Sequence, residues 1–210
     1  LSEGCVPPAS RNPFTSRRFP TWWIASMVAG TGVGIQSVTI PLFIRDRVDD
    51  ETRALAIAAA LVAQTLPGAL LALVGGAIAD RVERRRILAT AYTIVAVVSI
   101  AYLALSGFDV REVWPILPLA AIVGSVTAFT NPARQAMLPQ IVTREQIQNG
   151  VIFGTMGFMA AFQFLGPTVA GFVADLNGLT AAFGVEVVLL FAAASIFSRI
   201  RTETPTPSGG

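Results

Sequence analysis

Long apolar runs, all but one of them free of charge, alternate with short polar, charged stretches along almost the whole chain. The runs fall at about residues 21–44, 54–79, 87–105, 114–130, 149–174 and 180–197. At 1.5 Å per residue the first of them reaches roughly 36 Å as a helix, enough to cross a bilayer core with some tilt. The pattern predicts an all-α membrane protein with six transmembrane helices in residues 21–198. Residues 1–20 are rich in Pro, Ser and Arg, have no apolar period, and read as an N-terminal tail. They are not a secretory signal: the apolar run that follows is too long, and no small-residue cleavage site ends it. Residues 199–210 close on Thr-Pro-Thr-Pro-Ser-Gly-Gly and read as a linker-like tail. The first residue is Leu rather than Met, so the chain is expected to be a fragment or a processed product.

Within the runs a few residues break the apolar pattern. Trp22 and Trp23 open the first run and are expected to anchor it at the membrane surface. Gly30 and Gly34 are spaced for close approach to another helix, and Gly150 and Gly154 are read as packing sites too. Gln36, Gln64 and Gln163 are candidates to line a central cavity, with interhelical hydrogen bonding as the plainer alternative. Glu186 is the one acid well inside a run, roughly 9 Å below the membrane surface by helical rise. An acid in that position is costly, and it is read either as a proton carrier or as a group paired in a wet vestibule.

Composition narrows the class. Hydrophobic residues make up 53% of the chain and charged residues only 13%, about half the charge of a soluble domain. There is no Lys, which removes a P-loop, and no His, which removes Ser-His dyads and most zinc sites. Cys5 stands alone, and no Gly-x-Ser-x-Gly elbow appears. No enzyme, metal, organic cofactor or nucleic-acid partner is expected. The arginines also set a topology. With the N-terminus inside, Arg11, Arg17, Arg18, Arg81, Arg84, Arg85, Arg86, Arg134, Arg144, Arg199 and Arg201 are cytoplasmic, against Arg45, Arg47, Arg53 and Arg111 outside. The positive-inside rule therefore places both termini in the cytoplasm.

The densest charge lies between the second and third runs, where Asp80, Arg81, Glu83, Arg84, Arg85 and Arg86 follow Gly75-Gly76-Ala77-Ile78-Ala79. This stretch resembles the signature loop between the second and third helices of the major facilitator superfamily, with Gly76, Ala79, Asp80, Arg81, Arg84, Arg85 and Leu88 on the pattern. Ile78 replaces a Leu, and Glu83 stands where the family has a second Gly. Asn131-Pro132-Ala133-Arg134-Gln135-Ala136-Met137-Leu138-Pro139 resembles the corresponding loop of the enterobactin-exporter and macrolide-efflux group. Gly166-Pro167-Thr168-Val169-Ala170-Gly171 is similar to an element of proton-coupled antiporters in that superfamily, although its earlier Gly is Phe162 here. The arginine that many drug/proton antiporters carry in the fourth span is absent from residues 124–130.

A five-residue pattern recurs: Gly76-Ala77-Ile78-Ala79-Asp80 and Gly171-Phe172-Val173-Ala174-Asp175 end the second and fifth runs at opposite faces. Trp22 and Trp114 likewise open the first and fourth runs from opposite sides. The six spans are read as two inverted three-helix repeats, as in each half of a major facilitator.

The resemblance implies the N-terminal half of a twelve-helix transporter in the cell membrane, exporting small amphipathic compounds by proton antiport and alternating access. A second six-helix half is the implied partner, and the proton gradient the driving force. Gly76, Asp80, Arg81, Arg84 and Arg85 are the implied cytoplasmic gate, with Arg134 as a possible partner of Asp80. The alternatives are a non-transporting remnant or scaffold, and an uptake carrier.

Overall fold

The computed structural model describes residues 12–79, 83–107 and 114–200, with side chains of 72–79 excepted. Seven α-helices make six membrane-length spans: α1 (Phe19–Arg45), α2 (Asp50–Ala79), α3 (Arg84–Gly107), α4 (Ile116–Met137), α5 (Ile147–Ala160), α6 (Gly166–Asn177) and α7 (Leu179–Arg199). α5 and α6 form one span, joined by a π-helical turn at Ala161–Leu165. That turn has a local cause. Pro167 has no N–H for the carbonyl of Gln163, so the helical ladder has to be rearranged in the turn before it. A single residue, Gly178 at φ 81°, then turns the chain from α6 into α7. A side chain would be strained in that left-handed conformation.

The helices run furthest beyond the apolar segments in two places. α2 starts at Asp50 rather than Ala54, because Asp50 and Glu51 suit the positive end of the helix and Arg53 pairs with Asp50 at 2.6 Å. α4 runs through Asn131-Pro132 to Met137, a stretch whose sequence reads as a polar loop. Tertiary contacts override that reading: Ala133, Arg134 and Met137 are all buried.

Packing follows a paired scheme. α1 lies against the α5–α6 span and against α7, while α4 lies against α2 and against α3. α3 and α7 pack on each other and join the two sets. Exchanging spans one to three with four to six maps the α1 pairings onto the α4 pairings and the α3–α7 pairing onto itself, as expected of an inverted repeat.

Glycine sets the two closest crossings. A Cβ at Gly34 would stand 2.5 Å from the Phe162 carbonyl oxygen and 3.0 Å from Gly166 Cα. On the other side, a Cβ at Gly68 would stand 2.8 Å from the Gly124 carbonyl oxygen, and one at Gly124 would run into the carbonyl of Gln64. The α3–α7 seam is built differently, from two aromatic stacks: Tyr92 on Phe197 at 5.6 Å and Tyr102 on Phe183 at 5.8 Å. Trp22, expected at the membrane surface, is buried instead, because Gly154 leaves room for its ring. Trp23 is half-buried and donates from its indole to the Phe153 carbonyl at 2.9 Å.

These contacts give a paired prediction. Gly124→Ala forces α2 and α4 apart and should cost about 1–3 kcal/mol. Gly184→Ala, with open space at its Cβ, should be near neutral. Thermal unfolding of the two variants in detergent checks both; equal midpoints would refute the backbone contact.

Candidate functional site

Glu186 is fully buried where α1, α3 and α7 meet. It sits along the α3–α7 seam between the two aromatic stacks. Gln36 Nε2 donates to its Oε1 at 3.0 Å, and Ser99 Oγ donates to the same oxygen. Gln36 and Ser99 are themselves 3.5 Å apart, so three helices meet in one polar cluster. Ser99 Oγ also lies 2.9 Å from the carbonyl of Val95. A hydroxyl has one proton, so Ser99 can serve the carboxyl or its own helix but not both at once. Among the described residues Gln36 Oε1 and Glu186 Oε2 have no hydrogen-bond partner at normal distance, and no ion pair reaches Glu186.

A separate cavity of about 430 Å³ lies between α1, α2, α4 and the fifth span. Val33, Phe158, Met159 and Phe162 give it apolar walls, and Ser37, Gln64, Thr65, Thr127, Thr130 and Asn131 add polar groups. Four of its hydroxyls share one habit; the fifth belongs to Tyr92, which also lines the cavity. Ser37 donates to the Gly34 carbonyl at 2.7 Å, Thr65 to Leu61 at 2.8 Å, Thr127 to Val123 at 2.9 Å and Thr130 to Thr127 at 2.9 Å. With their protons committed to their own helices, these oxygens face the cavity as acceptors. Of the three glutamines, Gln64 lines this cavity, Gln36 belongs to the Glu186 cluster, and Gln163 is exposed in the middle of the π turn.

At the α2–α3 end, Asp80 and Arg81 lie outside the described residues, and Gly76 is described only as part of α2. Arg84 donates to the Ala136 carbonyl at 2.9 Å, tying the start of α3 to the last turn of α4. That carbonyl lies at a helix C-terminus, where a cation is favoured. Glu83 pairs with Arg85 at 2.5 Å and with Arg86 at 2.8 Å. The hydrogen bond from Arg85, joined by the charges of Arg85 and Arg86, outweighs desolvation and holds the Glu83 carboxyl below the usual carboxylate range. Its support for the fold is therefore complete above the ordinary carboxylate range and fades as pH falls through the lowered value.

Arg134 is buried against α5. It donates to Asn131 Oδ1 at 3.1 Å and to the Gly154 carbonyl at 3.4 Å, with its guanidinium 3.9 Å above the Phe158 ring. Gly166 is buried against Gly34, Pro167 is half-buried, and Gly171 is exposed with nothing near its Cβ position. Sequence reasoning missed Ser99, which carries no signal until α3 is seen to face Glu186.

Six membrane-length helices in paired arrangement around a cavity, with one acid sealed in the seam, define a multi-span membrane domain of the transporter class. The chain belongs to the Transmembrane secretion effector family of major facilitators, whose family model matches residues 9–208. This bears out the resemblance to the enterobactin-exporter group and sets the chain in a family of transporters rather than enzymes. Among curated proteins it is similar to the Multidrug resistance protein MdtG of Proteus mirabilis (strain HI4320), at 26% identity over 172 residues. That match takes in 80% of this chain and 41% of the relative, so the matched stretch spans less than half of the relative's length. No solved structure matches the chain.

The cluster makes a prediction about stability. Gln36→Leu removes one of the donors to a buried carboxyl and should cost about 1–3 kcal/mol. Gln36→Leu combined with Glu186→Leu should unfold closer to wild type than Gln36→Leu alone, since both partners are then apolar. A double-mutant cycle by thermal unfolding in detergent decides it; strictly additive losses would mean that the pair is not coupled.

Proposed function

We propose that this chain is the N-terminal six-helix half of an exporter working by alternating access, with both termini cytoplasmic. The observation that carries the reading is the cavity between α1, α2, α4 and the fifth span. In major facilitators substrate lies between two such halves near the midplane, and a second half would complete the site. The apolar walls and acceptor oxygens of this cavity favour amphipathic compounds that carry N–H donors or a positive charge. The multidrug name of the relative supports export over uptake.

Proton antiport is the proposed drive, and Glu186 the proposed carrier. It is an ionisable group inside the membrane with no counter-ion among the described residues, and the switchable Ser99 hydroxyl can follow its protonation. α1 joins the two sites. Val33 and Ser37 line the cavity, while Gln36, on the next part of the helical surface, holds the acid. A change of charge on Glu186 would act on the cavity through α1. The loop of Gly76, Asp80, Arg81, Arg84 and Arg85 would serve as the cytoplasmic gate, with Arg134 beside it at the end of α4. In that gate the Asp80 carboxylate latches the inner ends of the halves in one state and frees them in the other.

The full-length protein in proteoliposomes tests this with ethidium and Nile red under an imposed pH gradient. Wild type should move dye against its gradient only when protons flow the other way. Glu186→Gln should abolish the dependence on the proton gradient. Asp80→Asn should insert normally but lose transport. Proton-driven efflux by Glu186→Gln at the wild-type rate would remove the acid from the mechanism, and wild-type transport by Asp80→Asn would remove the gate.

A further inference from the structure

The polar cluster of α1, α3 and α7 is lopsided. The two donors that hold the Glu186 carboxyl, Gln36 Nε2 and Ser99 Oγ, converge on one oxygen, Oε1. Among the described residues Oε2 has no partner at normal distance, although the side chain is fully buried. An ionised carboxylate divides its charge equally between two oxygens, and out of water both need donors or a counter-ion. A neutral acid is unequal: its carbonyl oxygen accepts, and its hydroxyl oxygen has a proton to give. The arrangement around Glu186 is that of the neutral acid, with Oε1 as the carbonyl and Oε2 as the hydroxyl.

That hydroxyl needs an acceptor, and Gln36 brings one with it. Its Nε2 already donates to Glu186 Oε1 at 3.0 Å, and its own Oε1 is buried with no donor at normal distance among the described residues. A carboxylic acid and a primary amide are complementary, each offering one donor and one acceptor side by side. The terminal torsions of Glu and Gln are broad, so once the first edge is joined the second is reached by rotation. The other groups that face the acid are uncharged: Thr39 on α1, and Ser99 and the phenol of Tyr102 on α3. No charged side chain of α1, α3 or α6 pairs with it among the described residues. Thr39 Oγ1 lies 3.4 Å from the Gln36 backbone carbonyl, to which it donates.

We propose that Glu186 is protonated in this structure and that Gln36 senses its proton through two reciprocal hydrogen bonds, Gln36 Nε2–H to Glu186 Oε1 and Glu186 Oε2–H to Gln36 Oε1. When the proton leaves to water, its bonding electron pair stays on Oε2. Oε2 and Gln36 Oε1 are then two acceptors with no proton between them, and the amide has to turn away. Ser37, the next residue on α1, lines the cavity, so the turn is made one residue from the cavity wall. Gln36 is thus a positioning residue that converts the charge of the acid into a displacement of α1. This inference rests on the reading of Glu186 as the proton carrier and names the group that reports its charge.

Infrared difference spectroscopy across a pH titration tests it on the full-length protein, with glutamine isotope-labelled at the side-chain carbonyl. At neutral pH wild type should show a protonated-carboxyl band that Glu186→Gln removes. As that band is lost at higher pH, a labelled amide band should shift with it, and Glu186→Gln should show no such shift. Gln36→Leu should erase the amide shift and move the carboxyl band to higher frequency, since the acid loses both bonds to the amide. The labelled wild type answers the question even if Gln36→Leu fails to fold. Absence of the carboxyl band at neutral pH would overturn the proposal, as would its loss with every labelled amide unmoved. Loss of the band on adding sodium chloride at fixed pH, but not choline chloride, would overturn it in favour of a metal cation. Efflux assays separate this from the wider reading: if Glu186→Gln loses proton-driven transport while the wild-type amides stay unmoved, the carrier stands and only the pairing is removed.

Discussion

The bundle depends on two crossings where one helix backbone rests on another. Gly34 meets Phe162 and Gly166, and Gly124 meets Gln64 and Gly68. Lipid tails are as apolar as leucine, so the hydrophobic effect does little to bring helices together inside a membrane. Close van der Waals contact has to do it, and contact of this kind needs positions without side chains. Each crossing joins an early span of one repeat to the middle span of the other. With those two fixed, the cavity opens between the four helices involved, and Gln64, Val33 and Phe162 have no other place to face.

The second half of the architecture uses the opposite chemistry. α3 and α7 hold each other through ring stacks, and Glu186 lies between the two stacks with no exposed surface. A carboxyl placed in that seam must find its hydrogen bonds from protein groups, because none come from lipid. Gln36 and Ser99 supply them, each from a different helix. The aromatic stacks and the polar cluster thus belong together: the first makes the site dry, and dryness is what makes the second demanding.

Much of this was legible in the order of residues. Spans are set by apolar length, so their number and places follow from runs such as Ile87–Leu105 without knowledge of neighbours. Glu186 stood out for the same reason, since an acid in an apolar run has no local excuse. Partner choice was not legible. Gln36 and Gln64 look alike in sequence, yet α1 turns the first into the seam and α2 turns the second toward the cavity. Asn131-Pro132 reads as a break, and it is helical because Arg134 and Met137 are buried beyond it. Trp22 reads as a surface anchor, and it is buried because α5 carries a glycine at the facing position. In each case a residue on a distant span decided the outcome.

α1 is where these two chemistries meet. Its glycines bring it onto the fifth span, its Val33 and Ser37 form part of the cavity wall, and its Gln36 reaches the acid. Along the rest of its length α1 is held by large side chains, with Trp22, Ile35, Phe43 and Ile44 all buried. Its one amide also satisfies a buried carboxyl, which holds it firmly wherever that bond is made. In the proposed mechanism a change of charge at Glu186 would therefore reach the cavity wall through one well-anchored helix, and a ligand pressing on the wall would be felt at the acid by the same linkage.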